Sequence, residues 1–171
     1  MHRLVFYRSA GILHAVFPWP GLIMNVQKLC VVMLAVLTLT ACGGVDPNSP
    51  LGQRKAIFKD MLKTSEDMNG MLNGRVAFDS QRFSDAALKL DTLAQEPWKH
   101  FPQAKEADHT SAKDDVWQKQ ERFQVLVSSL EAATGELKVT AAGKPPSASL
   151  APGLSKVQAA CEACHKEFRA Y

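Results

Sequence analysis

VWQKQERFQVLVSSLEAATGEL, residues 116–137, places Val116, Gln120, Phe123, Val127, Leu130, Thr134 and Leu137 at alternating steps of four and three. That period puts all seven side chains on one side of an α-helix, whereas a strand would send successive residues to opposite faces. The stretch predicts a long amphipathic helix, and Gly143-Lys144-Pro145-Pro146 supplies a firm stop after it.

The same period recurs on either side. Phe58, Met61, Met68 and Leu72, flanked by Ile57, Leu62 and Met71, form a stripe that starts near Leu51 and ends at Asn73-Gly74. Phe83, Ala86, Ala87, Leu90 and Leu93 form a shorter one, with Asp79-Ser80 as the candidate cap and Pro97 beyond its end. Leu154, Val157, Cys161, Cys164, His165 and Phe168 form the last, with Pro152 placed for the first turn. Residues 97–112, PWKHFPQAKEADHTSA, show no period and make the longest connection, which in a bundle suggests a crossover, with Trp98 and Phe101 plugging it onto the core. Four amphipathic stripes without an alternating Val/Ile/Thr run predict an all-α chain, an antiparallel four-helix bundle over residues 51–171.

The front of the chain reads differently. Met24-Asn25-Val26-Gln27-Lys28 precedes an apolar run, Leu29 to Leu37, and then Leu39-Thr40-Ala41-Cys42. A basic start, a short apolar core and small residues are the order of a secretory signal. The run falls short of the roughly 20 residues of a spanning helix. Residues 1–41 are therefore expected to be a signal peptide. Within them, residues 1–23 carry Arg8, Pro18 and Pro20 ahead of a signal already complete from Met24, so translation is expected to begin at Met24. Leu39-Thr40-Ala41-Cys42 resembles the lipobox of bacterial lipoproteins, which implies lipidation of Cys42 as the first mature residue and a Gly/Pro-rich tether over 42–50. Several acyl chains anchor firmly where one would not. Gly43, rather than Asp, implies the outer membrane, on the periplasmic side; a soluble periplasmic product cut nearby is the alternative.

Removing that segment changes the charge. Of 20 Lys and Arg, Arg3, Arg8 and Lys28 precede Cys42, leaving 17 against 17 Asp and Glu, all of which follow it. The mature chain has no basic excess of the kind that would mark a nucleic-acid partner. Cysteine usage narrows as well: Cys30 leaves with the signal and Cys42 would carry lipid, so only Cys161 and Cys164 remain in the fold.

Those two stand in Cys161-Glu-Ala-Cys164-His165, whose three reactive side chains fall at i, i+3 and i+4 on one helix face. Two thiols for the vinyl groups of a haem and an imidazole for its iron fit that face, and C-x-x-C-H is the signature of c-type haem attachment. A thioredoxin-like dithiol would sit in a strand–helix context that is missing here. A zinc site would need a fourth ligand, for which His100 or His109 would have to serve. A chance match would leave two free thiols in an exported protein, a liability.

With this motif closing a four-helix chain, residues 51–171 resemble the cytochrome c' family, itself a standing example of the up-down bundle, so that topology comes with the resemblance. The likeness rests on Arg54-x-x-x-Phe58-x-x-Met61, on Leu93 to Phe101 with Pro97-Trp98 and Phe101, on Trp117 and Phe123, and on Cys161-x-x-Cys164-His165-x-x-Phe168-Arg169. It implies haem c held by two thioethers to Cys161 and Cys164, with His165 as the iron ligand. The position four after the first-helix arginine faces the open side of the iron in the family. Low-spin relatives carry Met there; this chain carries Phe58, which cannot donate to iron. The resemblance thus implies a five-coordinate, high-spin iron covered by an aromatic ring, with Arg54 near a propionate and Arg169 and Phe168 beside the proximal imidazole. Met61, one turn on, is the candidate ligand of a six-coordinate alternative. Met68 and Met71 read as core filling; Lys166, Glu167, His100 and His109 read as solvated bystanders.

The expected function is single-electron transfer or binding of a diatomic gas in the cell envelope, with redox proteins, nitric oxide and carbon monoxide as partners. The membrane would be met through the lipid, and the family resemblance implies pairing of two copies through their first helices. A wall without hydrogen-bond donors disfavours bound oxygen relative to nitric oxide. No His/Arg pair for peroxide cleavage stands beside Phe58, so enzymatic turnover is not expected.

Overall fold

In the computed structural model, which describes residues 45–103 and 110–171, Ser49 starts the first helix by accepting the Gly52 N–H on its hydroxyl at 3.0 Å. The helix, α1 (Pro50–Leu72), opens on a proline whose missing N–H would have had no partner there anyway. It ends at Gly74, whose φ of +70° only glycine adopts without strain. That turn lets the Arg75 N–H reach the Gly70 carbonyl at 2.9 Å and the Gly74 N–H reach Met71 at 3.4 Å, the paired bonds of a Schellman cap. Asp79 caps α2 (Ser80–Gln95) by accepting the Arg82 N–H at 2.9 Å. A 3-10 turn, Pro97–His100, follows.

The stripe that opened the sequence reading is one long helix with a fracture. Asp115–Gln118 makes a single turn, Lys119 leaves helical geometry, and α3 then runs Gln120–Ala142. The last helix, α4, spans Ser147–Phe168. Its start corrects the expectation for Pro152, which stands in the second turn rather than the first. Pro152 is exposed, so the carbonyl one turn before it, which loses its helical donor, can turn to water. The signal segment, Cys42 and His109 lie outside the described residues. Among the described residues no helix is long and apolar enough to cross a membrane.

Each long helix packs on its chain neighbours, and α4 closes the ring against α1. The four-helix bundle is thus formed as expected, but the long connection is not a crossover. Helices α2 and α3 are direct neighbours, and in the described part of the connection Trp98 and Phe101 pack against the core.

The apolar stripes meet in a first cluster that includes Met68, Phe83, Leu90, Leu137, Leu154 and Val157. Fully burying a side chain of this kind contributes about 1.5–3 kcal/mol. A second cluster, Val116, Phe123, Leu126, Val127 and Phe168, sits near the end of α4. Helix α4 comes close to α3 because residue 153 is glycine: a Cβ there would meet Leu137 Cδ1 at 3.0 Å. Leu62, expected in the first stripe, is instead 60% exposed, since it follows Met61 by one residue and so sits about 100° round the helix.

One buried polar contact crosses the bundle unannounced by the periodicity. Asp91, 7% exposed at its side chain, pairs with Lys138 and lies 3.2 Å from the Thr134 hydroxyl. Lys138 is partly solvated, so its charge contributes little, and the buried hydroxyl contact carries most of the effect. Asp91→Ala removes this contact while the Thr134 hydroxyl keeps the Glu131 carbonyl at 3.0 Å, and is expected to cost about 0.5–1.5 kcal/mol. The urea midpoint reads it, and an unshifted midpoint would show that this contact does not hold α2 to α3.

Candidate functional site

Between the two apolar clusters lies a cavity of about 590 Å³, within the range of sites that bury organic cofactors. The eight residues expected at the haem site line it: Arg54, Phe58 and Met61 from α1, Cys161, Cys164, His165 and Phe168 from α4, and Arg169 just beyond. About a hundred residues separate the two sets along the chain. Packing of α1 against α4 brings them to one space.

On the α4 side, helical geometry places Cys161, Cys164 and His165 together as their spacing required. Cys161 packs against the first cluster and Cys164 against the second. Burial raises the pKa of Cys161, and burial, followed by the neighbouring Cys161 and Glu167, pushes that of Cys164 up to about 11. These are protonated thiols at neutral pH. A dithiol oxidoreductase needs the opposite, a thiolate stabilised at a helix N-terminus, and this motif stands near a helix C-terminus. Burial, and then the charge of Arg169, lowers the pKa of His165, which keeps the imidazole neutral with a lone pair to give. Among the described residues no three His, Cys, Asp or Glu side chains gather to hold a metal ion, so nothing described completes a zinc site. Two unpaired thiols and a neutral imidazole on one wall of an apolar cavity are a donor set that fits a covalently attached haem.

The α1 side presents Phe58 and Met61 together with polar residues that include Arg54, Lys55, Lys59 and Asn69. Phe58 meets Trp98 edge-on, with ring centroids 5.9 Å apart. Met61 is buried within the first cluster. Trp98 stacks on Phe101 at 6.4 Å and meets Phe123 edge-on at 5.9 Å, and Phe123 meets Phe168 at 5.2 Å. A continuous aromatic wall thus runs from α1 to α4. Its one indole N–H beside Phe58, on Trp98, donates to the Ala94 carbonyl at 2.7 Å.

Arg54 is almost fully buried. It donates to the His100 carbonyl at 2.7 Å, approaches the Thr110 hydroxyl at 3.4 Å and lies 4.0 Å over the Phe101 ring. That anchor is the main-chain carbonyl of His100, not its imidazole. Arg169 lies 5.5 Å from the Tyr171 ring, itself exposed, so its side chain sits at the cavity's outer edge.

Sequence reasoning missed the strap across the end of α4. The Lys113 N–H donates to the Phe168 carbonyl at 2.9 Å and the Ala170 N–H to Ser111 at 2.8 Å, around an isolated antiparallel bridge between Ala112 and Arg169. Lys113 Nζ reaches the Lys166 and Glu167 carbonyls at 3.3 and 3.2 Å, completing the helix C-terminus with a cation. Glu167, expected to be solvated only, pairs with Arg122 at 2.9 Å. Three bridged residues have no period to announce them. Ser111 and Ala112 line the cavity as a result.

The family model described as Cytochrome C' matches residues 49–169. Cytochrome c' of Rhodopseudomonas palustris is 29% identical over 153 residues, covering 84% of this chain and 98% of that protein. Among solved structures, cytochrome c prime from Shewanella frigidimarina superposes with a TM-score of 0.69 at 22% identity, over 75% of this chain and all of that one. The nitric oxide complex of a variant cytochrome c prime from Alcaligenes xylosoxidans does so with a TM-score of 0.66 at 20% identity, over 75% and 98%.

Proposed function

The chain belongs to the cytochrome c' family, whose bacterial, periplasmic members bind c-type haem covalently, and on that footing we propose a five-coordinate haem protein that binds nitric oxide and passes single electrons. Cys161 and Cys164 would carry the two thioethers and His165 the iron bond. When bound, the haem iron offers a site for one electron and for a diatomic ligand.

The observation that carries the proposal is Phe58 on the wall of the same cavity as His165. Its ring excludes water and offers no electron pair to a metal. Its apolar neighbours on that wall are Met61, Trp98, Phe101 and Phe123, with the donors Arg54, Lys55, Lys59 and Asn69 elsewhere on the lining, and the Trp98 N–H is taken by Ala94. Phe58 and its ring partner Trp98 offer no hydrogen bond to bound oxygen, which needs such a donor more than nitric oxide or carbon monoxide does. Burial holds His165 neutral and thus able to bind iron. Arg54 lines the same cavity and would meet a propionate there, and Arg169 would polarise the imidazole from outside.

Met61 lines the cavity too, which sustains the alternative of a six-coordinate electron carrier. Its place in the buried cluster with Met68 and Leu90 supports packing instead. The ferric absorption spectrum decides: a high-spin spectrum that changes on adding nitric oxide is the expected result, and a low-spin spectrum inert to it would overturn the proposal in favour of Met61. The protein is further proposed to be anchored to the outer membrane through Cys42. Material extracted from native membranes should begin at Cys42 with acyl mass added; a soluble product starting elsewhere would sink the anchor.

A further inference from the structure

The aromatic residues over the cavity are not equivalent. Phe58 has Trp98 as its ring partner, whereas Trp98 is held on several sides. Its indole N–H is bonded to Ala94 at 2.7 Å, Phe101 stacks on it with planes 14° apart, and Phe123 abuts it edge-on. Phe101 is in turn held from beyond by Arg54, whose guanidinium sits 4.0 Å over the ring and donates to the His100 carbonyl in the same turn. A phenylalanine has two side-chain torsions and no polar tether, so its ring orientation is set by what it leans on. Here a half-buried Phe58 leans on an indole that cannot move without losing a hydrogen bond and a stack.

We propose that Trp98 is the positioning residue of this site: the Phe58–Trp98 contact holds the Phe58 ring across the cavity, and the Arg54–Phe101 stack fixes Trp98 for that purpose. The inference rests on the reading of Phe58 as the cover over the iron. It assigns Arg54 a second role, as the end of a stack that reaches the ring four residues along its own helix. Ligand access is then governed from the 97–101 turn as well as from α1.

The test uses the haem-loaded protein. Carbon monoxide association with the ferrous form is measured for the native chain, Trp98→Leu, Phe58→Ala and the double variant, and the ring-flip rate of 13C-labelled Phe58 is read by NMR in the carbon monoxide adduct. Trp98→Leu is expected to speed association by roughly three- to tenfold, the population range one edge-to-face pair controls, and to speed Phe58 flipping. Trp98→Phe, which keeps a ring there, should restore most of both. In the Phe58→Ala background Trp98→Leu should add nothing. An effect of Trp98→Leu that is undiminished in that background, or an unchanged flip rate, would overturn the inference while leaving the covering role intact. If Phe58→Ala by itself changes no rate, the covering role fails and the inference goes with it. Should Trp98→Leu not load haem, Phe101→Leu removes the stack and leaves the indole; a smaller acceleration that again vanishes without Phe58 is expected, and an unaltered rate overturns the proposal.

Discussion

Cys161→Ala combined with Cys164→Ala is expected to abolish covalently retained haem, from full occupancy to none on a haem-stained denaturing gel. Each thiol lines the cavity from one face of α4, and among the described residues no other cysteine could substitute. Single replacements should keep one thioether, and the pyridine haemochrome band should shift accordingly. The unloaded double variant should still fold in outline, because neither thiol belongs to the fully buried set of either cluster, only to its margin. It should nonetheless be easier to unfold than the loaded protein, since a group that binds only the native state stabilises it by linkage. Stain retained by the double variant would show that the cavity is loaded by other chemistry, and the reading of C-x-x-C-H as the attachment point would fail.

Phe58→Ala is expected to raise the association rate of carbon monoxide and nitric oxide by at least about tenfold, a barrier lower by roughly 1.4 kcal/mol. The ring is the bulky group on the α1 wall with no polar tether, and its removal opens the cavity without touching a metal-binding or thiol group. Its stability cost should fall below the 3–5 kcal/mol of a fully buried Phe→Ala change, because Phe58 is only half-buried. Stopped-flow mixing and thermal unfolding read the two quantities separately. An unchanged association rate would mean that Phe58 does not cover the reactive side, and Met61, three residues on, would become the group to test.

Much of this was open to reading before any fold was known, for reasons that differ by residue. Asn73-Gly74 and Asp79 mark helix ends through local hydrogen bonds, which need nothing from the rest of the chain. Cys161, Cys164 and His165 share a face because one helix carries all three. Pro152 misled because proline suits a first turn and is also tolerated in an exposed second one, where water can satisfy the carbonyl left without a donor. Leu62 misled because an apolar residue beside a stripe is assigned to it by type, whereas burial follows the angle round the helix. The 97–112 connection suggested a crossover by its length, and length does not say whether a loop skips a neighbour or builds a wall.

By itself, then, the sequence determined the four helices and the C-terminal donor set, since both rest on interactions between residues a few positions apart, whose geometry any helix imposes. Only the tertiary structure decided what faces those donors. The meeting of Phe58 with the His165 wall, the stack of Arg54, Phe101 and Trp98, the Asp91–Thr134 contact and the strap of Ala112 on Arg169 all join residues that sequence separation leaves free to be anywhere. Their positions follow from how four apolar faces pack at once, a condition that no single stretch of the chain contains.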